Sequence, residues 1–149
     1  MELNYVSSGI QLIGTKINKL KVENTIVDIE KDASRSFSMN INEPHFFDAE
    51  EKIFAQIVID FKLHIEQGEN QKMVLDLSLE GAFVSDEKVN KDDFIKLVAV
   101  NGAAALVGIA RGKIESISSN IFNDGKISIP FINVIDYYKH SLEQSKEDK

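Results

Sequence analysis

The sequence predicts an α+β fold: a four-stranded antiparallel sheet with two C-terminal helices packed on one of its faces. Apolar and polar residues alternate along much of the first half, which is the period of a strand. In the second half apolar residues recur three or four positions apart, which is the period of a helix. A chain of 149 residues is typical of one domain. We expect that domain to span residues 1–142, followed by a solvated tail over residues 143–149.

The clearest strands are two neighbouring runs at residues 53–66 and 73–83. In both runs almost every second residue is apolar, which predicts long, half-buried strands. The polar segment 67–72 lies between them, so the two runs should form an antiparallel hairpin. Gly81 is expected to mark a bulge or a bend near the end of this hairpin.

Two weaker strands precede the hairpin. Residues 35–42 alternate over a short stretch that stops before Pro44. Residues 10–29 alternate with a change of phase, which predicts a long first strand with a bulge or a break near Gly14. The charged segment EPHFFDAEE, residues 43–51, is expected to be the loop between the second and third strands.

Helices follow in the second half of the chain. Asn90 or Asp92 can cap a short helix that runs to Val98, and a long helix is expected over residues 101–122. A last helix is expected to begin after Pro130.

The first part of the long helix, NGAAALVGIARG at residues 101–112, is rich in small residues. Because glycine in a helix costs up to about 1 kcal/mol relative to alanine, such a run predicts the close approach of a neighbouring element. Together with the open edges of a small sheet, it indicates self-association. A membrane span is not expected, since the uncharged run at residues 97–110 is shorter than the roughly 20 residues that a span requires.

Composition and charge narrow the classes of function. The chain contains no cysteine, which excludes disulfides and thiolate metal sites and is typical of a reducing compartment. Its formal net charge of −7 disfavours nucleic acid and anionic membranes as partners. The start, MELNYVSSGIQ, lacks the basic and apolar regions of a secretory signal, so we expect a cytoplasmic protein.

No residue pattern predicts catalysis, a cofactor or a metal site. His45 lies near Asp48, Glu50 and Glu51, but the spacing fits no zinc signature, and a solvated loop is the better interpretation. The sequence has no Gly-x-Ser-x-Gly elbow, and nothing near Arg111 supplies a nucleophile or a base. We therefore expect no enzyme activity; a small-ligand-binding or enzymatic α+β protein is the alternative.

Two segments of the second half resemble motifs of the SecB-type export chaperones. In that family the long helix carries a pattern close to Pro-x-x-Leu-Phe-Pro-Tyr-Ala-Arg-x-x-Ile, and a glycine then precedes Leu-x-Pro-x-Asn/Asp-Phe. The matching or similar residues in this sequence are Leu106, Ala110, Arg111, Ile114, Gly125, Ile129, Pro130, Ile132 and Asn133. The residues that depart from the patterns are Ala103, Val107, Gly108, Ile109 and Val134. These departures suit a specialised relative with one client, such as an antitoxin, as well as a general export chaperone.

The resemblance implies a chaperone that binds unfolded polypeptides (preproteins) in an apolar groove between the last helix and the sheet. Without ATP or metal, it would keep them competent for translocation. The aromatic residues expected to line this groove are Phe46, Phe47, Phe83, Phe131, Tyr137 and Tyr138. Aromatic side chains suit such a groove because they bind diverse apolar segments at a low entropic cost. The alternative is that the apolar residues of segment 127–135 only cover the sheet.

The resemblance also implies a homotetramer, built as a dimer of dimers, and a partner protein. The residues of the long helix expected at the central contact are Ala104, Ala105, Gly108, Arg111 and Gly112. SecB-type chaperones meet the translocase motor SecA through acidic residues on the outer face of the sheet. By strand parity and charge, the residues expected to form such a surface in this chain are Asp60, Glu66, Asp76 and Glu80.

Overall fold

The computed structural model describes residues 9–86 and 89–148. Residues 1–8, on which the expectation about a secretory signal rests, and Lys149 of the expected tail lie outside this part. The described elements are strands β1 (Ile10–Asn24), β2 (Ser34–Ile41), β3 (His45–Ala49), β4 (Lys52–Gln67) and β5 (Gln71–Ser85), then helix α1 (Lys91–Leu97), a π-helical turn (Val98–Gly102), α2 (Ala103–Ile121) and α3 (Val134–Glu147).

The five strands form one antiparallel sheet, in which the order of neighbours is β1-β5-β4-β2 and β3 also pairs with β4. β2 and β3 lie one after the other along the same edge of β4, opposite residues 59–66 and 52–56 respectively. The predicted α+β fold is confirmed, with five strands in place of four.

The additional strand is β3, which lies in the segment predicted to be a loop. Its residues pair with the start of β4, and Glu50 and Glu51 form the turn with positive φ angles of 49° and 63°. Two-residue hairpin turns of this kind usually contain Asn-Gly or Asp-Gly. Two glutamates carry no such signal, and five residues are too few to show a clear alternation.

β1 pairs with β5 along its whole length, with shifts in register between Leu12 and Gly14 and between Ile17 and Lys19. The predicted irregularity near Gly14 is confirmed. β1 forms an edge of the sheet that the helices only partly cover. Leu12, Ile17 and Leu20 therefore stay exposed, although they pair with core residues of β5 and share their face.

The core lies between the inner face of the β4–β5 hairpin and the helices. Alternate residues of both strands are buried there, as the sequence predicts. Phe94, Leu106 and Ile114 cover them from the helical side. Gly81 forms no bulge: it is paired regularly on both sides, and a β-carbon at this position would collide with the side chain of Leu106. Glycine is therefore required at position 81 because helix and sheet meet there.

α1, the π-helical turn and α2 form one uninterrupted helix from Lys91 to Ile121, where the sequence predicts two. Among residues 9–86 and 89–148 it is the one helix long and apolar enough to cross a membrane, with a mean hydropathy of 1.6 over 18 residues. A helix that covers a core has the same composition. The residues of α2 that are buried are Ala103, Leu106, Val107, Ala110, Ile114 and Ser118.

The connection from α2 to α3 covers part of the core. Ile127 and Ile129 are buried, and the backbone N–H of Ile127 donates to the buried Ser118 hydroxyl at 2.9 Å. α3 begins at Val134, after Pro130 as predicted. Asn133 caps it by accepting from the N–H of Asp136. The helix also continues as far as Glu147, through most of the segment predicted to be a tail.

Candidate binding site at the edge of the sheet

β2 is an edge strand whose outer side is open. The N–H of Asn42 donates to the carbonyl of Val58 on β4 at 3.0 Å. Because successive residues of an antiparallel strand point their main-chain groups to opposite sides, the alternate residues of β2 point theirs away from β4. These outward-pointing residues are Arg35, Phe37, Met39 and Ile41.

Only the last of these four main-chain positions is occupied. The N–H of Ile41 donates to the hydroxyl of Tyr137 at 3.0 Å. Nothing in the described part of the chain bonds to the outward main-chain groups of Arg35, Phe37 or Met39. We call these three residues the open edge of β2. Phe37 and Met39 are half-buried, and the Phe37 ring lies 6.2 Å from that of the core residue Phe61, so apolar surface lies beside the unpaired backbone.

Two tyrosines of α3 hold this helix against the rest of the chain. The Tyr137 hydroxyl, besides accepting from Ile41, donates to the side-chain oxygen of Asn40 at 3.3 Å. The Tyr138 hydroxyl donates to the carbonyl of Ala99, in the π-helical turn, at 2.8 Å. The two rings contact each other edge to face, and both are half-buried. Tyr137 and Tyr138, predicted to line a groove, lie beside the open edge and anchor α3.

The Tyr138 anchor predicts a loss of stability at alkaline pH. Burial, with a smaller contribution from Tyr137, raises the pKa of the Tyr138 phenol above its ordinary value of 10.0. The folded state thus favours the protonated phenol. This stabilisation is complete below the pKa of the unfolded chain and is lost as pH rises through the folded pKa. Urea unfolding from about pH 8 to about pH 11 should show stability falling at the alkaline end, with a smaller fall in Tyr138→Phe. An equal fall in the variant would contradict the assignment.

The four phenylalanines predicted to line the groove lie in different places. Phe46 points inward, half-buried, with its ring 6.1 Å from that of Phe94. Phe47 is 42% exposed on the outer face and stacks on Phe54. The prediction for Phe83 is corrected: it is 1% exposed, because its ring lies beneath Gly102 of the π-helical turn.

Phe131 is the most exposed of the four, at 90%, and it lies against Arg111. The guanidinium carbon of Arg111 is 4.0 Å from the centre of the Phe131 ring, and its Nε–H donates to the carbonyl of Ile129 at 3.0 Å. The two residues form a surface pair that joins α2 to the connection before α3.

The small residues predicted at an oligomer contact form an exposed surface on α2. Ala104, Ala105, Gly108 and Gly112 are exposed, and Arg111 is half-buried. A β-carbon placed at Gly108 or Gly112 would meet nothing within 4 Å. Contacts within the described chain therefore do not explain these glycines. A groove of about 460 Å³ lies beside them, lined by Ile17 of β1 and by Ile109, Gly112, Lys113, Ser116 and Ile117 of α2.

The four carboxylates predicted to form an acidic surface lie on the outer face of the sheet, away from the helices. Two of them have basic neighbours. Glu80 lies 3.6 Å from the ammonium nitrogen of Lys16, and Glu66 lies 3.1 Å from His64 Nε2. Both pairs are partly or largely exposed, so each contributes at most about 1 kcal/mol.

The other two carboxylates are also surrounded by polar or basic groups. Asp76 is directly paired with Lys21 of β1 and Lys62 of β4, and its Oδ1 is buried without a hydrogen-bond partner in the described residues. Asp60 accepts from the side-chain amide of Asn42 at 2.9 Å. The outer face is therefore mixed in charge around the predicted acidic residues.

A metal site is absent from the part of the chain that the structure describes, where no three His, Asp or Glu side chains lie close enough together to hold an ion. The sequence does not single out Arg35, Phe37 and Met39 as candidate binding residues. The alternation of the second strand predicts a strand, but nothing in it tells an edge strand from a central one.

Comparison with known proteins supports the fold. No protein-family model matches the chain, and no curated protein sequence matches it. The comparison with solved structures shows that the chain has the fold of the SecB-like chaperones. One example is the SecB-like chaperone Rv1957 of Mycobacterium tuberculosis, in complex with a ChAD peptide from the HigA1 antitoxin. It aligns with a TM-score of 0.57 and 12% identity over 86% of this chain and 94% of its own. A protein of unknown function from Streptococcus agalactiae aligns over 82% and 97% of the two chains with a TM-score of 0.46 and 10% identity, too distant to support an argument.

Proposed function

We propose that this protein is an ATP-independent chaperone that holds non-native polypeptides along the open edge of β2. The observation that carries the proposal is the unpaired main chain of Arg35, Phe37 and Met39 beside half-buried apolar side chains. The SecB-like fold supports it, and Rv1957, with a peptide bound, has that fold. We propose binding, with no catalysis, as the whole of its activity.

The mechanism is the addition of a strand. A client segment in extended conformation would hydrogen-bond with the outward N–H and C=O groups of the open edge, and these contacts do not depend on its sequence. Every second client side chain would face Phe37 and Met39, so that apolar residues at alternate positions are favoured. Affinity from one edge is modest, and several edges in one assembly would raise it through avidity.

The client is proposed to be a dedicated one, such as an antitoxin. Rv1957 was observed with an antitoxin peptide, and this supports a dedicated client over general export. The mixed charge of the outer face also favours this form of the function, because docking to SecA would use a predominantly acidic surface. Docking to SecA stays a prediction, as does a cytoplasmic location.

We further propose that the protein assembles through α2, as a dimer of dimers. The exposed Gly108 and Gly112, which no contact within the described chain requires, support a close approach by a second copy.

Met39→Pro is expected to weaken client binding about tenfold or more, because proline removes an outward N–H and its ring blocks the neighbouring strand. Proline is tolerated in an edge strand where the N–H faces away from the sheet, so the fold should survive. The measurement is suppression of light scattering by insulin B chain after disulfide reduction, at a few protomers per client and with no nucleotide or metal.

The matched control is Met39→Ala, which removes the side chain and keeps the N–H. It should retain more activity than Met39→Pro, while both variants keep the circular dichroism spectrum of the wild type. Equal activity of wild type and Met39→Pro, or no suppression by wild type, would overturn the proposed function.

A further inference from the structure

We propose that Tyr137 is the end-stop of the open edge: a positioning residue that limits how far a client strand can pair with β2 and so sets its register. This inference rests on the proposed function. Its basis is that the Tyr137 hydroxyl occupies the N–H of Ile41, the next outward main-chain donor after Met39.

The Tyr137 hydroxyl is fixed by a chain of hydrogen bonds. It donates to Asn40 Oδ1 at 3.3 Å, and the Asn40 amide donates to Asn42 Oδ1 at 2.9 Å. The Asn42 amide in turn donates to Asp60 Oδ2 at 2.9 Å on the neighbouring strand. These hydrogen bonds fix the position of the phenol. A client strand that pairs with β2 therefore finds the N–H of Ile41 already bonded to Tyr137.

The second tyrosine keeps the helix in place but leaves the edge untouched. Tyr138 donates to Ala99 O, which lies in the helical segment and not in the sheet. Both hydroxyls therefore hold α3, but only that of Tyr137 also closes one end of the open edge.

The end-stop limits the length of the client segment that can pair with the open edge. Arg35, Phe37 and Met39 span five residues of β2, a stretch of about 17 Å. A client strand of about this length fills the open edge, and longer strands gain no hydrogen bond at the Tyr137 end. Without the hydroxyl, pairing can continue through Ile41.

The test compares Tyr137→Phe with Tyr138→Phe, using two capped, fluorescently labelled peptides of alternating valine and threonine, about five and about nine residues long. Wild type should bind both peptides with similar affinity. Tyr137→Phe should bind the longer peptide about three- to tenfold more tightly than wild type does, and the shorter one equally well. Tyr138→Phe should show no gain with length. In the free protein, the Ile41 amide should exchange with solvent faster in Tyr137→Phe than in Tyr138→Phe.

The outcomes separate the two proposals. If wild type binds neither peptide, the proposed function fails and the end-stop fails with it. If wild type binds both peptides but Tyr137→Phe gains nothing with length, the end-stop alone is wrong. An equal gain in Tyr138→Phe would also overturn it, since loosening of α3 would then account for the effect. Unchanged exchange of the Ile41 amide in Tyr137→Phe would contradict the hydrogen bond on which the inference depends.

Discussion

Replacing Phe83 by alanine is expected to lower the free energy of unfolding by about 3–5 kcal/mol. The ring is 1% exposed on the inner face of β5. A β-carbon on Gly102 would lie 3.2 Å from it, so the π-helical turn rests directly on Phe83. Removal of the ring would leave a cavity between sheet and helix that neither element can fill without moving the other. Urea unfolding followed by circular dichroism measures the loss.

Phe131→Ala is the control, because it removes the same side chain from a position that is 90% exposed. Its cost should be below about 1 kcal/mol, the usual value of an exposed cation–π contact such as the one with Arg111. A Phe83→Ala protein as stable as wild type would show that the ring lies outside the core and would restore it as a candidate groove residue.

Gly108→Leu is expected to dissociate the proposed assembly without unfolding the chain. Overpacking a tight contact typically costs about 1–3 kcal/mol, and in a symmetric assembly this cost is repeated at each copy of the contact. Within one chain a β-carbon at position 108 meets nothing within 4 Å, and the helix loses a glycine, so the dissociated subunit should be no less stable than wild type. Sedimentation velocity gives the mass, and thermal unfolding gives the stability of the subunit.

Gly108→Ala is the conservative companion variant, and it should disturb the mass less than Gly108→Leu does. Gly81→Ala provides the opposite contrast: it should destabilise the chain itself, because the added carbon would collide with Leu106, which is fully buried. A wild-type protein that sediments as a monomer at micromolar concentration, or a Gly108→Leu protein of unchanged mass, would contradict assembly through this face.

The sequence predicts β4, β5 and α2 well because each of them has one buried face. The strands predicted at residues 53–66 and 73–83 are observed as Lys52–Gln67 and Gln71–Ser85. The helical period likewise reveals α2. The sequence does not predict β3, because this strand is short and its turn consists of two glutamates. The two predicted helices are one helix in the structure, since a π-helical turn has no distinct sequence signal.

The candidate site was less predictable than the fold. The sequence predicts Tyr137 and Tyr138 as residues that line a groove. It does not show that each phenol reaches a main-chain group on another element. The sequence suggests Phe83 as a binding residue because strand parity shows that its side chain points inward but not what covers it. The open edge depends on the strand order β1-β5-β4-β2, which no local pattern contains.

The same strand order has a consequence for biosynthesis. β1 is made first, yet residues 10–24 pair with residues 73–85, whereas β4 and β5 are joined by a tight turn. At the usual rate of translation, β5 is synthesised on the order of seconds after β1, whereas a hairpin such as β4–β5 forms within microseconds. Leu12, Ile17 and Leu20 thus leave the ribosome before β5 is available to pair with β1. Each newly made copy therefore passes through a non-native state. We propose that the folded protein binds other polypeptides in a state of this kind.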